Sequence, residues 1–302
     1  MALELNPHAV YVGSHNLATQ DNLGTIEPPQ WCDDLFYSGN SYKTFAHQSA
    51  SLFVRLEELI AHYSVDISRI PTQATIFFLL PELATQNEVL KLVKKLNEVL
   101  GDTPSGQRSI FCYPYGNASF LVAFERVMHC LERHECWVLS VDTSSLFCVG
   151  SEYQLFEDIK TDSLLLVHIA RSTYGLEPSK VQFDRYSSHY ESGIPRVMAS
   201  LSQMCQRELT ELMLPLDGAD MPIWHSQLHR FSPWVTENTG YFFSSTLVGQ
   251  LGAGTGLYKA LHAYQKQLQD PQKPFHVLQI DAEEQGLAVG ILYRWSSRSE
   301  DK

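Results

Sequence analysis

The stretch that most narrows what this chain can become runs from Gly116 to Thr143, GNASFLVAFERVMHCLERHECWVLSVDT. Apolar side chains stand at 118, 120–124, 127, 128, 130 and 131, more than one face of a helix can hold. A helix apolar around most of its girth belongs inside a large domain rather than on its surface. Small residues, Asn117, Ala118 and Ser119, occupy the start, where backbone N–H groups lack partners within the helix. The run Trp137-Val138-Leu139-Ser140-Val141 then reads as a strand covered on both faces. With 302 residues, 44% of them hydrophobic, the chain has enough material for one large domain or two tightly packed halves.

Around this stretch the pattern alternates. Val10–Gly13 reads as a short strand, and residues 14–40, with Gly24, Pro28, Pro29 and Gly39, as a long loop or lid. Thr44 is placed to cap a helix running to Tyr63. Ala74–Leu80, held between Pro71 and Pro81, is a strand. Thr85-Gln-Asn-Glu88 is a capping box opening a helix to Leu100. Ser109–Tyr113 is the next strand, leading into the turn at Gly116. Further on, helices are expected over 151–159, 196–213 and 251–268, and strands over 163–169, 241–243, 275–280 and 286–295. Residues 173–195 read as irregular, and the tail SSRSEDK as disordered. Such alternation predicts a layered α/β fold with a largely parallel sheet. A turn of small residues, a buried helix and a strand occur in each half, at 117–136 and 251–275, so the expected division is 1–160 and 161–302.

Charge and cysteines exclude some functions. The net charge is −12, and no basic run exceeds Lys94-Lys95, which argues against a nucleic-acid partner. Cys32, Cys112, Cys130, Cys136, Cys148 and Cys205 show no CxxC spacing and lie mostly in apolar runs, as buried thiols in a reducing compartment do. The start, MALELNPHAV, lacks a basic segment with an apolar core, and no apolar run reaches the roughly 18–20 residues that span a bilayer. A cytoplasmic protein without a membrane span is expected.

Two helix turns carry a family resemblance. Ser245-Thr246 and the following Gly-rich turn, within TLVGQLGAGTG, resemble the loop of β-ketoacyl synthases in which GH-x-x-G-A-A-G follows a Ser-Thr-Lys strand end. Asn117-Ala118-Ser119-Phe120 stands where that family has Cys-Ala-Ser/Thr-Gly at the mouth of its central helix. Val141-Asp142-Thr143-Ser144 resembles the family's Gly-Gly-x-(Asp/Glu)-Ser strand end. The likeness is specific at residues 109–144 and 244–264. It implies a thiolase-like five-layer α/β/α/β/α fold with two pseudo-repeated halves. It also implies a homodimer paired through the strand beside the central helix.

The departures matter more for function. A condensing enzyme of this family attacks a thioester with a Cys held at the helix start, and here that position is Asn117. Of the two family histidines, one matches Gln250, after Gly249, and the other falls nearest Asp217. Gly249, Gly252 and Gly254 form the backbone loop. The resemblance therefore implies a pseudoenzyme that binds a protein partner or an acyl or acyl-carrier-protein ligand, with no cofactor. The alternative is an acyltransferase or thioesterase-like enzyme using another residue of the pocket, such as Cys112 as fallback nucleophile, or Asp217.

Other candidate motifs are weaker. Gly252-x-Gly254 is followed by Leu257 where a dinucleotide fingerprint needs a third Gly, so a tight turn that lets backbones approach is the simpler reading. His225 and His229 have the i, i+4 spacing of metal ligands but no Glu between them, and His129, Cys130, His134 and Cys136 diverge around a helix end, so no metal site is expected. No G-x-S-x-G is present. Glu57-Glu58 and Glu283-Glu284 read as solvated faces or turns, and the aromatic residues of 224–243 as core packing.

Overall fold

Strands and helices alternate in two rounds of one pattern. In the first round come β1 (Ala2–Val12), β2 (His15–Asn16), β3 (Gln30–Asp33), β4 (Ser38–Tyr42), α1 (Leu52–His62), α2 (Ser64–Ile67), β5 (Thr75–Leu80), α3 (Gln86–Leu100), β6 (Ser109–Pro114), α4 (Ser119–Cys130), β7 (Cys136–Thr143) and β8 (Lys160–Ser172). The second contains β9 (Gly175–Pro178), β10 (Gln182–Arg185), α5 (Ile194–Met204), β11 (Glu211–Met213), α6 (Asp220–Gln227), β12 (Gly240–Phe242), α7 (Ser244–Val248), α8 (Thr255–Gln269), β13 (His276–Ala282) and β14 (Leu287–Ser296). This is a computed structural model, and it describes the chain except for residues 19–22, 24–25, 34–37, 46, 48, 50, 102–107, 144–158, 186–192, 217–219, 284–285 and 298–302.

The two rounds pair their strands alike. β6 and β7 flank β5 in parallel, β8 lies antiparallel to β7, and β1 antiparallel to β8. Likewise β12 and β13 flank β11 in parallel, β14 lies antiparallel to β13, and β9 and β10 antiparallel to β14. One pair, Leu3 with Leu176, links the two sets through β1 and β9. The expected largely parallel sheet is thus corrected to a mixed one. Strand direction leaves no mark on sequence where both faces are covered, because burial alone sets the apolar pattern.

Side chains alternate between layers along each central strand, as a two-residue repeat requires. On β7, Cys136 and Val138 enter a central core, whereas Trp137, Leu139 and Val141 enter an outer one. The central core holds Phe120, Leu121, Phe124 and Val127 of α4 and Leu257, Tyr258 and Leu261 of α8 between the two sheets. The first outer core packs Leu56, Leu59 and Ile60 of α1 with Leu92 and Leu96 of α3, and the second packs Val197, Met198 and Leu201 of α5 with Trp224 of α6. Helices, sheet, helices, sheet, helices make the five layers of the thiolase-like arrangement.

Local chemistry accounts for several elements and fails for others. The Thr85 hydroxyl accepts from the Glu88 N–H at 3.3 Å while the Glu88 carboxylate accepts from the Thr85 N–H at 2.9 Å, so the capping box is present as expected. Thr44 caps nothing: α1 begins at Leu52 after Ser51, and the Thr44 N–H is drawn to Asp162 at 2.9 Å. The expected loop over 14–40 contains β2, β3 and part of β4, and the irregular stretch 173–195 contains β9, β10 and the start of α5. The helix expected to Met213 stops at Met204, and Glu211–Met213 is a strand lying between β12 and β13. Three residues are too few to display a period, and only tertiary pairing makes them a strand. The first strand, expected at 10–13, runs the full length Ala2–Val12. The helix expected over 151–159 and the tail from 298 fall outside the described residues.

Candidate functional site

Both central helices begin with the same device. Each follows a one-turn 3₁₀ segment, Gly116–Ala118 before α4 and Gly252–Gly254 before α8. Its first glycine has positive φ, +48° at Gly116 and +51° at Gly252, a region that Cβ-bearing residues avoid. A side chain there would also collide with a carboxylate, Glu283 at the first and Asp142 at the second. The following N–H donates to that carboxylate: Asn117 N to Glu283 Oε2 at 2.7 Å, and Ala253 N to Asp142 Oδ2 at 2.6 Å. These groups are crossed between halves, since Glu283 follows β13 and Asp142 lies on β7. A helix start carries unpaired N–H groups and a partial positive charge, so an anion is stabilised there. In this chain that place is taken by its own carboxyl side chains, Glu283 and Asp142.

Direct contacts join the two starts. The Thr255 hydroxyl donates to Asn117 Oδ1 at 3.1 Å. Ser119 Oγ sits between the carbonyls of Tyr113 and Leu80, at 2.8 and 3.0 Å, and accepts from Tyr115 N at 3.0 Å. That network gives the Ser119 hydroxyl a structural task. Burial pushes the Asp142 carboxyl up to about 7, against the pull of the Ala253 and Thr143 N–H groups, and the charge on Asp162 adds to the rise.

Further along α8, Lys259 lies fully buried. Its Nζ donates to Asp281 Oδ1 at 2.6 Å and to the Ile280 carbonyl at 3.0 Å. Gln279 Nε2 donates to Asp281 Oδ2 at 2.6 Å and to the Gly256 carbonyl at 3.0 Å. On β13, residues 277, 279, 281 and then 283 point the same way, into the central layer. That period of two was the available signal for Glu283, which the acidic doublet with Glu284 disguised as a solvated turn.

A second polar cluster lies on the outer side of the first sheet. His47 Nδ1 is 2.8 Å from Glu58 Oε2, and its Nε2 is 3.0 Å from both oxygens of Asp162. Asp162 also accepts from Thr143 Oγ1 at 2.7 Å, and Arg55 lies 3.9 Å away. Burial raises the Asp162 carboxyl, but its hydrogen bonds and the His47 charge outweigh that and hold it below the usual range. Both imidazole nitrogens are engaged, so neither is presented to a substrate. Glu58, expected on a solvated face, is therefore a partner of this histidine. Sequence offers no cue for it, because Glu58 and Asp162 stand far from one another along the chain.

The expected site residues are brought together in part. Asn117, Gly252 and Asp142 meet at the crossed helix starts. Gln250 is half-buried beside them in sequence, and its N–H donates to the Ile159 carbonyl at 3.1 Å. Gly249 has φ +70°, and a Cβ would press on Thr161 and Ile159. Gly254 has no positive φ, but a Cβ would come within 2.8 Å of Leu165 Cδ1. Asp217 falls outside the described residues. Cys112 is turned away: it packs with the outer core, while its neighbours Phe111 and Tyr113 pack with the central one. Burial pushes the Cys112 thiol up to about 11, which suppresses the thiolate a nucleophile needs. His225 and His229 are exposed, and His229 Nδ1 is spent on the Ser226 carbonyl at 2.8 Å. Among the described residues no group of three or more His, Cys, Asp or Glu is gathered to hold a metal, and no helix is long and apolar enough to cross a membrane.

No family model and no curated protein sequence matches the chain. Solved structures do match in fold. A tetronic acid condensing enzyme, AbyA1, superposes with a TM-score of 0.54 at 11% identity, over 85% of this chain and 91% of that one. The ketosynthase from module 6 of the bacillaene synthase of Bacillus subtilis 168 gives 0.55 at 9% identity, over 75% of this chain and 55% of its own. An HMG-CoA synthase complexed with CoA gives 0.51 at 8% identity, over 74% and 65%. The chain thus spans most of the first and little more than half of the second. At such identities the likeness establishes the thiolase-like, ketosynthase-like fold, and fold alone does not establish activity.

Proposed function

We propose that this is a ketosynthase-like protein without condensing activity, one that binds a protein partner or an acyl or acyl-carrier ligand. The observation that carries the reading is the occupant of the α4 start. The residue there is an amide, Asn117, fastened by Thr255, and the adjacent N–H is taken by Glu283. A nucleophile needs a thiolate or an activated hydroxyl at that point, and an oxyanion site needs its N–H donors unspent. Gln250 and Asp217 in place of histidines remove the imidazoles that would move protons.

In this reading the chain divides into two thiolase-like halves, 1–160 and 161–302. β6 ends its sheet with one edge unpaired by any described strand, and Ile110, Phe111, Cys112 and Tyr113 are half-exposed along it. An apolar edge of that kind favours strand addition, and a second copy pairing across β6 gives the homodimer. The cytoplasm is the proposed location.

The test is exposure of the purified protein to acyl thioesters and to an epoxide electrophile of the cerulenin type, followed by intact-mass and peptide analysis. The expected result is no acyl or epoxide adduct at residues 112–119, alongside saturable binding of an acyl-carrier protein or acyl chain by calorimetry. An acyl adduct on Cys112 would replace this reading with the transferase one. Sedimentation should give twice the 34.3 kDa chain mass.

A further inference from the structure

His47 lies between β4 and α1 and joins two elements that the sequence keeps far apart. Its side chain is 1% exposed, with Nδ1 2.8 Å from Glu58 Oε2 on α1 and Nε2 3.0 Å from both oxygens of Asp162 on β8. Ionised carboxylates only accept hydrogen bonds, and a neutral imidazole has one N–H to give. Acceptors on opposite sides of one ring are both served only by the imidazolium, which carries a proton on each nitrogen.

The two carboxylates are not equivalent. Asp162 is 2% exposed and has other donors, the Thr44 N–H at 2.9 Å and the Thr143 hydroxyl at 2.7 Å, with Arg55 3.9 Å away. Burial raises its carboxyl, but the bonds from His47, Thr44 and Thr143 and the His47 charge outweigh that and hold it below 3.8, so it is charged near neutrality. Glu58 is 27% exposed, so water can replace the bond it loses. The other charged or titratable groups facing the cluster are Arg55, His62 and Tyr63 of α1 and its end, and Asp142 on the opposite face of β7. His62 is separated from His47 by the Phe45 ring, which lies 4.7 Å from one and 5.1 Å from the other. Burial keeps the Tyr63 phenol protonated, with its hydroxyl donating to the Gly13 carbonyl at 2.9 Å.

We propose that His47 is a proton-operated clasp: with both nitrogens protonated it fastens α1 to the start of β8, and with one proton it keeps β8 and releases Glu58. The proton that leaves is the one on Nδ1. It passes to solvent by way of the Glu58 carboxylate, which water reaches. The Nε2 proton stays, because turning a lone pair on the buried Asp162 costs more than rehydrating Glu58. The clasp is therefore closed on the acid side of the imidazole's titration and open on the alkaline side, where α1 loosens.

The clasp lies back to back with the α8 start. Thr161 and Ser163, on either side of Asp162, turn to the other face of β8 and donate to the carbonyls of Val248 and Leu251 at 3.0 and 3.2 Å. They hold the loop that carries Gly249 and leads to Gly252. The Asp162 charge also bears on the Asp142 carboxyl that caps Ala253. Loss of the His47 cation leaves that charge less compensated, so one proton on the outer face is felt at the inner helix start.

The intact protein, carrying 15N-labelled histidine, is followed by two-bond 1H–15N spectra from about pH 5.5 to about pH 8.5, the span in which histidines exchange protons. The His47 signals are assigned by their loss in His47→Gln or, if that variant does not fold, by their displacement in Glu58→Gln. The expected result is a ring protonated on both nitrogens at the acid end and an Nε2–H tautomer at the alkaline end. Hydrogen exchange read by mass spectrometry, corrected for the intrinsic rate, should show Leu52–His62 losing protection about tenfold over that span, the scale of one charge-assisted hydrogen bond. Glu58→Gln alters a partly exposed side chain and supplies an amide that accepts from a protonated Nδ1 or donates to a bare one. In that variant the protection of α1 should not change with pH. A neutral ring with its proton on Nδ1, a ring that keeps one protonation state throughout, or the same pH-dependent loss in Glu58→Gln would each overturn the clasp.

Discussion

The two central helices start alike and differ in what sits on them. At α8 the carboxylate comes from within a strand, the residue after the capped glycine is Ala253, and a buried lysine follows at 259. At α4 the carboxylate comes from the turn after β13, the residue is Asn117, and the helix has no buried charge. The shared part, a positive-φ glycine pressed on a carboxylate from the other half, is what locks the halves together. The unshared part is where a relative of this fold would place its chemistry. Here it holds an amide that serves the lock.

That contrast can be broken most forcefully at Lys259. Replacing it with Met leaves Asp281 buried without its cation, and a loss of about 3–5 kcal/mol is expected in urea unfolding. The double variant Lys259→Met, Asp281→Leu should recover most of it, which separates the cost of an orphaned charge from that of repacking. Gly252→Ala and Gly116→Ala strike the shared device itself. Each adds backbone strain and a clash, about 2–4 kcal/mol by the usual cost of such positions. Gly252 should be the worse of the two, because Asp142 is held in a sheet whereas Glu283 stands in a turn that can yield. Equal losses would mean that the turn is as rigid as the strand.

A smaller effect comes from pH. Asp142 in the folded chain takes up its proton near 7, against an ordinary value of 3.8. Between these values the native state binds more protons than the unfolded one. Stability from the neutral carboxyl is therefore complete below pH 3.8 and is lost as pH rises through about 7. Asp142→Asn keeps an acceptor for Ala253 N and should flatten that slope in denaturation curves at fixed pH steps. The Glu283→Gln variant offers the matched comparison at the other helix. Smallest of all, Asn117→Ala makes the first start resemble the second and removes only the bond from Thr255. A loss of about 1 kcal/mol is expected. A gain in stability there would mean that the amide is strained for a purpose, and would point back towards a ligand.

Much of the architecture was legible because it rests on near neighbours. The Thr85–Glu88 box lies within one helical turn, the apolar girth of 118–131 announces a buried helix, and β5 stands between two prolines. The likeness at 109–144 and 244–264 extended this to five layers. Short elements were not legible: β11 has three residues and acquires its identity from β12 and β13. Nor was Thr44, whose N–H is drawn to Asp162 rather than to a helix start. The site was half legible. Asn117 and the glycines stood out by position, but Cys112 shows its true direction only when the alternation along β6 is anchored by packing. Glu283 passed for a surface residue because its neighbour is also acidic.

What the amino-acid order decided alone is the set of helices and strands whose signals repeat within a few residues, and the presence of an amide side chain, Asn117, before the central helix α4. Only the tertiary structure decided that Glu283 and Asp142 cross between halves and that Lys259 finds Asp281. These pairings depend on how sheets stack on helices. Electrostatic and hydrogen-bond energies fall steeply with distance in space, and separation along the chain does not report that distance.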